Sequence, residues 1–442
     1  MSQRALRTIL VSTALAACGA PAAQPTPTPS KAQAKPEPVV TRPTPPRPEP
    51  EPEPEPAPAP VSPAVAAAVT RSLNAVSVDL HRAVAKQPGN LFTSGTGVAL
   101  ALALVHAGSG GATRKQLATA LHLGKLTDAD WQAGLVALRT GWAKPRQGAT
   151  LAVANRLFGE QTLVYKPAYL ELGRTVFGAP LEPVDFIKDP GAAITRINAW
   201  VGEQTRGQIS DLVGPGSLDT STRLVLTNAV YFKGDWQEPF ELAATRSQTF
   251  FGASAKQQVA MMRSSQRLRL ATPKGAKLRV LELPYAGGDY SLVIVLPQAK
   301  DGLGKLEKKL AAADLQAWID GASETLVDLQ LPRFTLAHSV DLEPVLGKLG
   351  LEDLFKLKRA NLSGISEVKL ALSAALHRTF VAVDEKGTEA AAATAITLKI
   401  ESADRATPFV VDRPFLFLIR DTRSGLFLFL GRFSDPVTGT PS

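Results

Sequence analysis

Apolar residues first become periodic at Val65, and Val65, Val69, Leu73, Val76, Leu80 and Val84 then recur on one face of a helix. A short strand is predicted at 90–93, followed by helices over about 96–107, 112–121 and 128–141. The stretch "TLAVANRLF" (150–158) alternates as a strand does, and helical spacing returns near 166–177 and 190–204. After residue 220 a period of two dominates, in "RLVLTNAVYF", "LRVLELPY", "YSLVIVLP", "ETLVDLQLP", "HRTFVAVD", "RPFLFLIR" and "GLFLFLGR". Helices first and strands later, without regular βαβ alternation, predict an α+β fold with antiparallel or mixed sheets. No internal linker or repeat breaks 64–442, which reads as one large domain.

One stretch resists this reading. "EKGTEAAAATA" (385–395) lies between two strongly apolar strands, yet holds almost nothing adhesive. On propensity alone it reads as an alanine-rich helix with Thr388 ahead of an acidic residue.

The N-terminus has a different character. "MSQRALRTILVSTALAAC" places Arg4 and Arg7 before a short apolar run and small residues before Cys18, the layout of a signal peptide over 1–17. Cys18 is the chain's one cysteine, which excludes disulfides and a cysteine nucleophile within the body. "LAAC" is similar to a bacterial lipobox, which implies cleavage before Cys18 and lipidation of its sulfur. From there to residue 63 proline stands at nearly every second position. Proline fixes φ and removes backbone donors, so 18–63 is predicted to stay unfolded as an extended tether. At about 3.1 Å per residue it would reach up to about 140 Å. No other stretch has the apolar length of a membrane-spanning helix. The expected location is therefore a lipid anchor on a bacterial membrane, facing the periplasm or the cell surface. Gly19 stands where inner-membrane retention uses aspartate, which favours the outer membrane.

A hydrophobic fraction of 45% suits a globular body, and the net charge of +9 favours anionic neighbours. The basic residues fall in short groups, such as Arg263, Arg267, Arg269, Lys274, Lys277 and Arg279, which read as a solvated surface and not as a nucleic-acid site. The chain has no GxSxG, HExxH, P-loop or GxGxxG motif. Its five histidines, His81, His106, His122, His338 and His377, show no metal-ligand spacing. Neither an enzyme nor a cofactor or metal is expected.

Longer motifs settle the reading. "NAVYFKGDW" (228–236), "EKGTEAAAAT" (385–394) and "DRPFLFLIRD…GLFLFLGRFSDP" (412–436) resemble signatures of the serpin family. "NLFTS" (90–94), "INAWVGEQTRGQISDLV" (197–213), "LPRFTL" (331–336) and "LGLEDLFKLKRANLSGIS" (349–366) add to the match in order along the body. The resemblance implies three β-sheets, about nine helices and an exposed reactive-centre loop. It also implies suicide inhibition, in which a serine protease cuts the loop and is trapped as the loop inserts into the main sheet. Glu385, Gly387, Thr388, Glu389, Ala390, Ala391, Ala392, Ala393 and Thr394 would form the hinge. Gly387 would supply conformational freedom. Thr388, Ala390, Ala392 and Thr394 would face inward as small residues, with Glu389 outward.

Carried over residue by residue, Asn228 and His377 match a shutter pair whose hydrogen bond holds the main sheet closed, with Ser94 beside it. Trp236 matches the breach tryptophan where insertion begins. Gly97 departs from the pattern, standing where the family has a second shutter serine, and so alters that network. The family's spacing from Glu385 puts the reactive bond at Glu401–Ser402, which invites a glutamyl-specific protease. Lys399 and Arg405 are alternatives that would invite trypsin-like enzymes, and a cysteine protease is a further target class. The alternative function is that of a non-inhibitory, binding or carrier serpin. The body is expected to be monomeric.

Overall fold

The computed structural model describes residues 61–388 and 405–436. The leader 1–17 and the tether up to residue 60 lie outside the described residues. Among the described residues are nine α-helices and fifteen strands.

The first helix, Pro63–Val84, starts where local chemistry dictates. The Ser62 hydroxyl accepts from the Val65 N–H, and proline occupies the first turn, where its missing donor costs nothing. Val69, Leu73, Val76, Leu80 and Val84 of the apolar stripe are buried. The second helix, Gly95–Ala107, is apolar on nearly every side and sits in the core. The Ser94 hydroxyl caps it by accepting from the Gly97 N–H at 3.0 Å.

Two sheet systems form around these helices. In the six-stranded sheet the order is Phe334–Asp341, Ala374–Val383, Gly387–Thr388, Leu224–Asp235, Ala149–Glu160 and Glu182–Val184. The other nine strands pair into a continuous system that divides into two sheets sharing the long strand Lys256–Ala271. One end of that strand pairs with Leu278–Pro284, and most of its length pairs with Ser323–Pro332. Three sheets result, as the fold class predicted.

The six-stranded sheet is covered on both faces. On the inner face Leu226, Val230 and Phe232 join the main core with the helix Gly95–Ala107. Phe232 there meets Tyr285, Tyr290 and Phe429 edge-on, with centroids 5.0, 5.4 and 6.5 Å away. On the outer face Val225, Ala229, Leu376 and Phe380 pack against Ile194, Ile197, Trp200 and Val201 of the helix Pro190–Gln204.

The early helices fall where the apolar spacing put them. The helices Leu303–Lys309, Ala312–Asp320 and Leu342–Leu346 were not evident from it, being short and embedded among strands. The strand Lys256–Ala271 was hidden by its charges. Arg263 and Arg269 lie on it as cross-strand partners of Asp328 and Glu282, not as an undifferentiated basic surface.

Candidate functional site

The strands Ala374–Val383 and Leu224–Asp235 run parallel, and seven residue pairs join them, from Ala374 opposite Val225 to Phe380 opposite Tyr231. Each strand's other long neighbour is antiparallel to it. The site is this parallel seam and the chain segment that enters its upper end.

Beyond Val383 the chain turns back on itself. Asp384 shapes the turn, its Oδ1 accepting from the Lys386 and Gly387 N–H groups at 2.8 and 3.2 Å. Gly387 and Thr388 then enter between the two strands, antiparallel to both. Thr388 faces Val383 on one side and Gly234 on the other, and Gly387 faces Asp235.

Gly387 is required here for space, which corrects the expectation of conformational freedom. Its φ is not positive, but a β-carbon on it would lie 2.1 Å from the Gly234 carbonyl oxygen and 2.7 Å from the Asp235 Cα. Only a residue without a side chain lets the returning strand come this close.

Thr388 is fully buried, and its hydroxyl is 2.6 Å from the Tyr285 hydroxyl. Burial pushes the Tyr285 phenol well above its usual range, so this bond joins two neutral groups. Tyr285 stacks on Trp236 with centroids 4.6 Å apart and ring planes 11° from parallel. Trp236 in turn donates from Nε1 to the Asp384 carbonyl at 2.9 Å, and from its backbone to Lys386 at 2.8 Å. Trp236 thus holds both ends of the turn.

Glu385 is buried at the base of the same turn. Its Oε1 accepts from the Thr245 hydroxyl at 2.7 Å and from Arg333 Nη2 at 2.5 Å. Burial pushes this carboxyl up, but the hydrogen bonds from Thr245, Arg333 and its own backbone, with the Arg333 charge, together outweigh it and hold the group below the usual carboxylate range.

Lower in the seam, His377 lies directly opposite Asn228 in register. The His377 Nε2 receives the Ser94 backbone N–H at 3.0 Å, so that nitrogen must be the acceptor. Nδ1 therefore carries the proton and donates to Asn228 Oδ1 at 2.5 Å. Asn228 Nδ2 passes the chain on to Asn155 Oδ1 at 2.6 Å. One polar thread joins the N-cap of the helix Gly95–Ala107 to three adjacent strands.

Asn155 was not anticipated from the sequence. Only the register of Ala149–Glu160 against Leu224–Asp235, which sets Asn155 opposite Asn228, reveals it. Burial lowers the His377 pKa to about 3, with nearby His338 adding to the effect. The ring is neutral at physiological pH.

Ser94 serves this thread through its backbone, since its hydroxyl donates to the Leu428 carbonyl at 2.6 Å while capping the helix. Gly97 fits tightly. A β-carbon there would stand 2.5 Å from Val230 Cγ2 and 2.8 Å from Asn228 Nδ2. The departure at Gly97 thus lets Asn228 lie against the helix.

Arg405 is exposed ahead of the strand Thr407–Val410. Cys18, Glu389, Ala390, Ala391, Ala392, Ala393, Thr394, Lys399, Glu401 and Ser402 lie outside the described residues.

A main sheet with a parallel seam, entered at its top by an antiparallel segment, defines a protein built to take a strand into its own sheet. Comparison with known proteins agrees. The family model for Serpin (serine protease inhibitor) matches residues 71–436, and the chain belongs to the serpin family. The leukocyte elastase inhibitor of Bos taurus is 41% identical over 356 residues, 79% of this chain and 93% of its own length. Serpin B8 of Homo sapiens is 39% identical over 350 residues, 78% of this chain and 93% of its own. Among solved structures, uncleaved ovalbumin superposes with a TM-score of 0.77 at 28% identity, covering 83% of this chain and all of that one. Serpin48 of Tenebrio molitor gives 0.75 at 30% identity, covering 84% of this chain and 98% of that one.

Two predictions follow from the thread. Gly97→Ser should destabilise the protein by about 1–3 kcal/mol through overpacking against Val230 and Asn228. A lowered midpoint in urea unfolding checks this, whereas an unchanged or raised midpoint would show that the space is adaptable. His377 has a folded pKa below its unfolded value, so its stabilisation is complete above the unfolded value near 6.5. It is lost as pH falls toward about 3, at up to roughly 1.4 kcal/mol per pH unit. Calorimetry from pH 7 to 4 should show His377→Gln losing stability with acid less steeply than the wild type.

Proposed function

We propose that the protein is a suicide inhibitor of serine proteases, trapping them when the cleaved loop fills the seam. The observation that supports this most is the seating of Thr388 between two strands that are otherwise paired directly. Continuing its register would place Thr397 between Ala374 and Val225, so that residues 388–397 fill the seam to its foot. Thr388, Ala390, Ala392, Thr394 and Ile396 would then face inward opposite Val383, Val381, Thr379, His377 and Ala375. All five of those partners are buried, so only small or apolar newcomers fit among them. Thr394 would fall between His377 and Asn228 and take the place of their hydrogen bond.

In this reading the protease serine attacks the carbonyl of Glu401, the amino group of Ser402 leaves, and an ester links enzyme to loop. Glu401 lies four residues past the foot of the seam, so full insertion would carry the enzyme to the opposite end of the sheet before water can release it. Lys399 and Arg405 remain alternative points of attack, by trypsin-like proteases instead of a glutamyl-specific one. The protein itself turns over no substrate. The same proposal places the body on a lipid at Cys18, at the end of the proline-rich tether, on a bacterial membrane; "LAAC" and the composition of 18–63 support it.

Incubation with glutamyl-specific and trypsin-like proteases should give a complex that survives SDS, with the cut mapped by mass spectrometry. Thr388→Arg should convert the inhibitor into a substrate, cleaved at the same bond with at least a tenfold loss of trapped complex. Cleavage without any covalent complex, or normal trapping by Thr388→Arg, would refute the proposal.

A further inference from the structure

Apolar surface is left uncovered at the foot of the seam. Among the described residues six large apolar side chains are exposed, and three of them, Val164, Leu357 and Val368, surround one cleft. Leu357 and Val368 line it, together with Leu163, Phe355, Arg223 and Ser373, and its volume is about 460 Å³. Val164 adjoins it, since the Ser366 hydroxyl donates to the Val164 carbonyl at 2.6 Å and accepts from the Val368 N–H at 3.2 Å. A single exposed apolar side chain is ordinary, whereas several around one cleft mark a contact surface.

The cleft lies directly below the seam. Ser373 precedes Ala374, which pairs with Val225 at the seam's lower end. The Ser373 hydroxyl accepts from the Arg223 N–H at 2.9 Å, and its backbone N–H donates to the Leu224 carbonyl at 2.8 Å. The two strands are thus tied together at the rim of the cleft.

The length of the loop decides what reaches this surface. With residues 388–397 in the seam, Glu401 stands four residues past the foot, a reach of at most about 14 Å. A globular protease of about 220 residues is roughly 40 Å across. An enzyme esterified to Glu401 is therefore held against the foot, with its surface across the cleft.

We propose, on the reading that the chain traps proteases, that Val164, Leu357 and Val368 form the docking surface for the trapped enzyme. The patch is covered only after insertion, because the loop leaves the sheet at the opposite end, beyond Thr388. Removing its apolar area from water stabilises the final complex and leaves the first encounter unaffected. Its effect is on the life of the ester. Water must cleave that bond to return the serine hydroxyl to the enzyme and leave a carboxylate on the loop, and an enzyme pinned to the foot is slow to recover the geometry for this.

L357E/V368E puts two charges into the patch at exposed positions. Wild type and variant are mixed with glutamyl-specific and trypsin-like proteases, and two rates are measured, association and release of active enzyme from the isolated complex. Association should stay within twofold of the wild type, while the variant complex should release active enzyme at least fivefold faster. Release at the wild-type rate overturns the proposal, as does a comparable loss in association, which would place the patch at the first encounter. Should the double variant not fold, V164E decides by the same two rates. A wild type that forms no complex refutes inhibition itself and the docking surface with it, whereas normal trapping with an unaffected variant refutes the docking surface alone. Sedimentation of the uncut chain tests the other occupant: a dimer that L357E/V368E disperses would give the patch to a second copy and overturn the proposal.

Discussion

The parallel pairing of Ala374–Val383 with Leu224–Asp235 is the contact on which the behaviour of the molecule turns. Parallel ladders are slightly less stable per residue than antiparallel ones. A strand entering between these two would run antiparallel to both, as Gly387 and Thr388 already do. One weaker ladder would be exchanged for two stronger ones. The seam is therefore a stored preference, and the connection from Val383 through the Asp384 turn delivers the incoming strand in the right direction. What keeps the exchange from running is the loop's attachment at its far end, to the strand Thr407–Val410, which pairs in a different sheet.

The polar groups along the seam suit a contact that must hold and yet be able to part. Asn228, His377 and the Ser94 amide bond to one another through neutral groups, so separating them strands no buried ion. The charged clamp of Glu385 with Arg333 and Thr245 sits at the turn, and the ion pair on the seam itself, Arg378 with Asp211, runs outward from the strand and not across it. The clamp fixes where the turn begins and spans neither strand of the seam below it. The helix Pro190–Gln204 covers the outer face of the same strands, so opening must also displace its contacts with Leu376 and Phe380.

Much of this was legible in the sequence, for identifiable reasons. Strand alternation in "HRTFVAVD" and the apolar run of "NAVYFKGDW" survive as the two sides of the seam because burial enforces a period of two. The small residues after Gly387 were conspicuous because an alanine tract between sticky strands has no packing rationale. Three things could not be read. The part played by Asn155 depends on register across strands some seventy residues apart in sequence. Gly387 looked like a source of flexibility, whereas its necessity comes from the Gly234 carbonyl pressed against it. The arginines of Lys256–Ala271 looked like scattered surface charge because their partners Glu282 and Asp328 come from other strands.

The most direct test is a crystal structure of the full chain after its loop has been cut by a protease. Strands in a sheet lie about 4.8 Å apart. The account predicts that His377 and Asn228 will have separated to about twice that spacing, with Thr394 between them and their hydrogen bond gone. If the cleaved protein still shows Ala374–Val383 paired directly with Leu224–Asp235, the seam is not an acceptor and the account is contradicted.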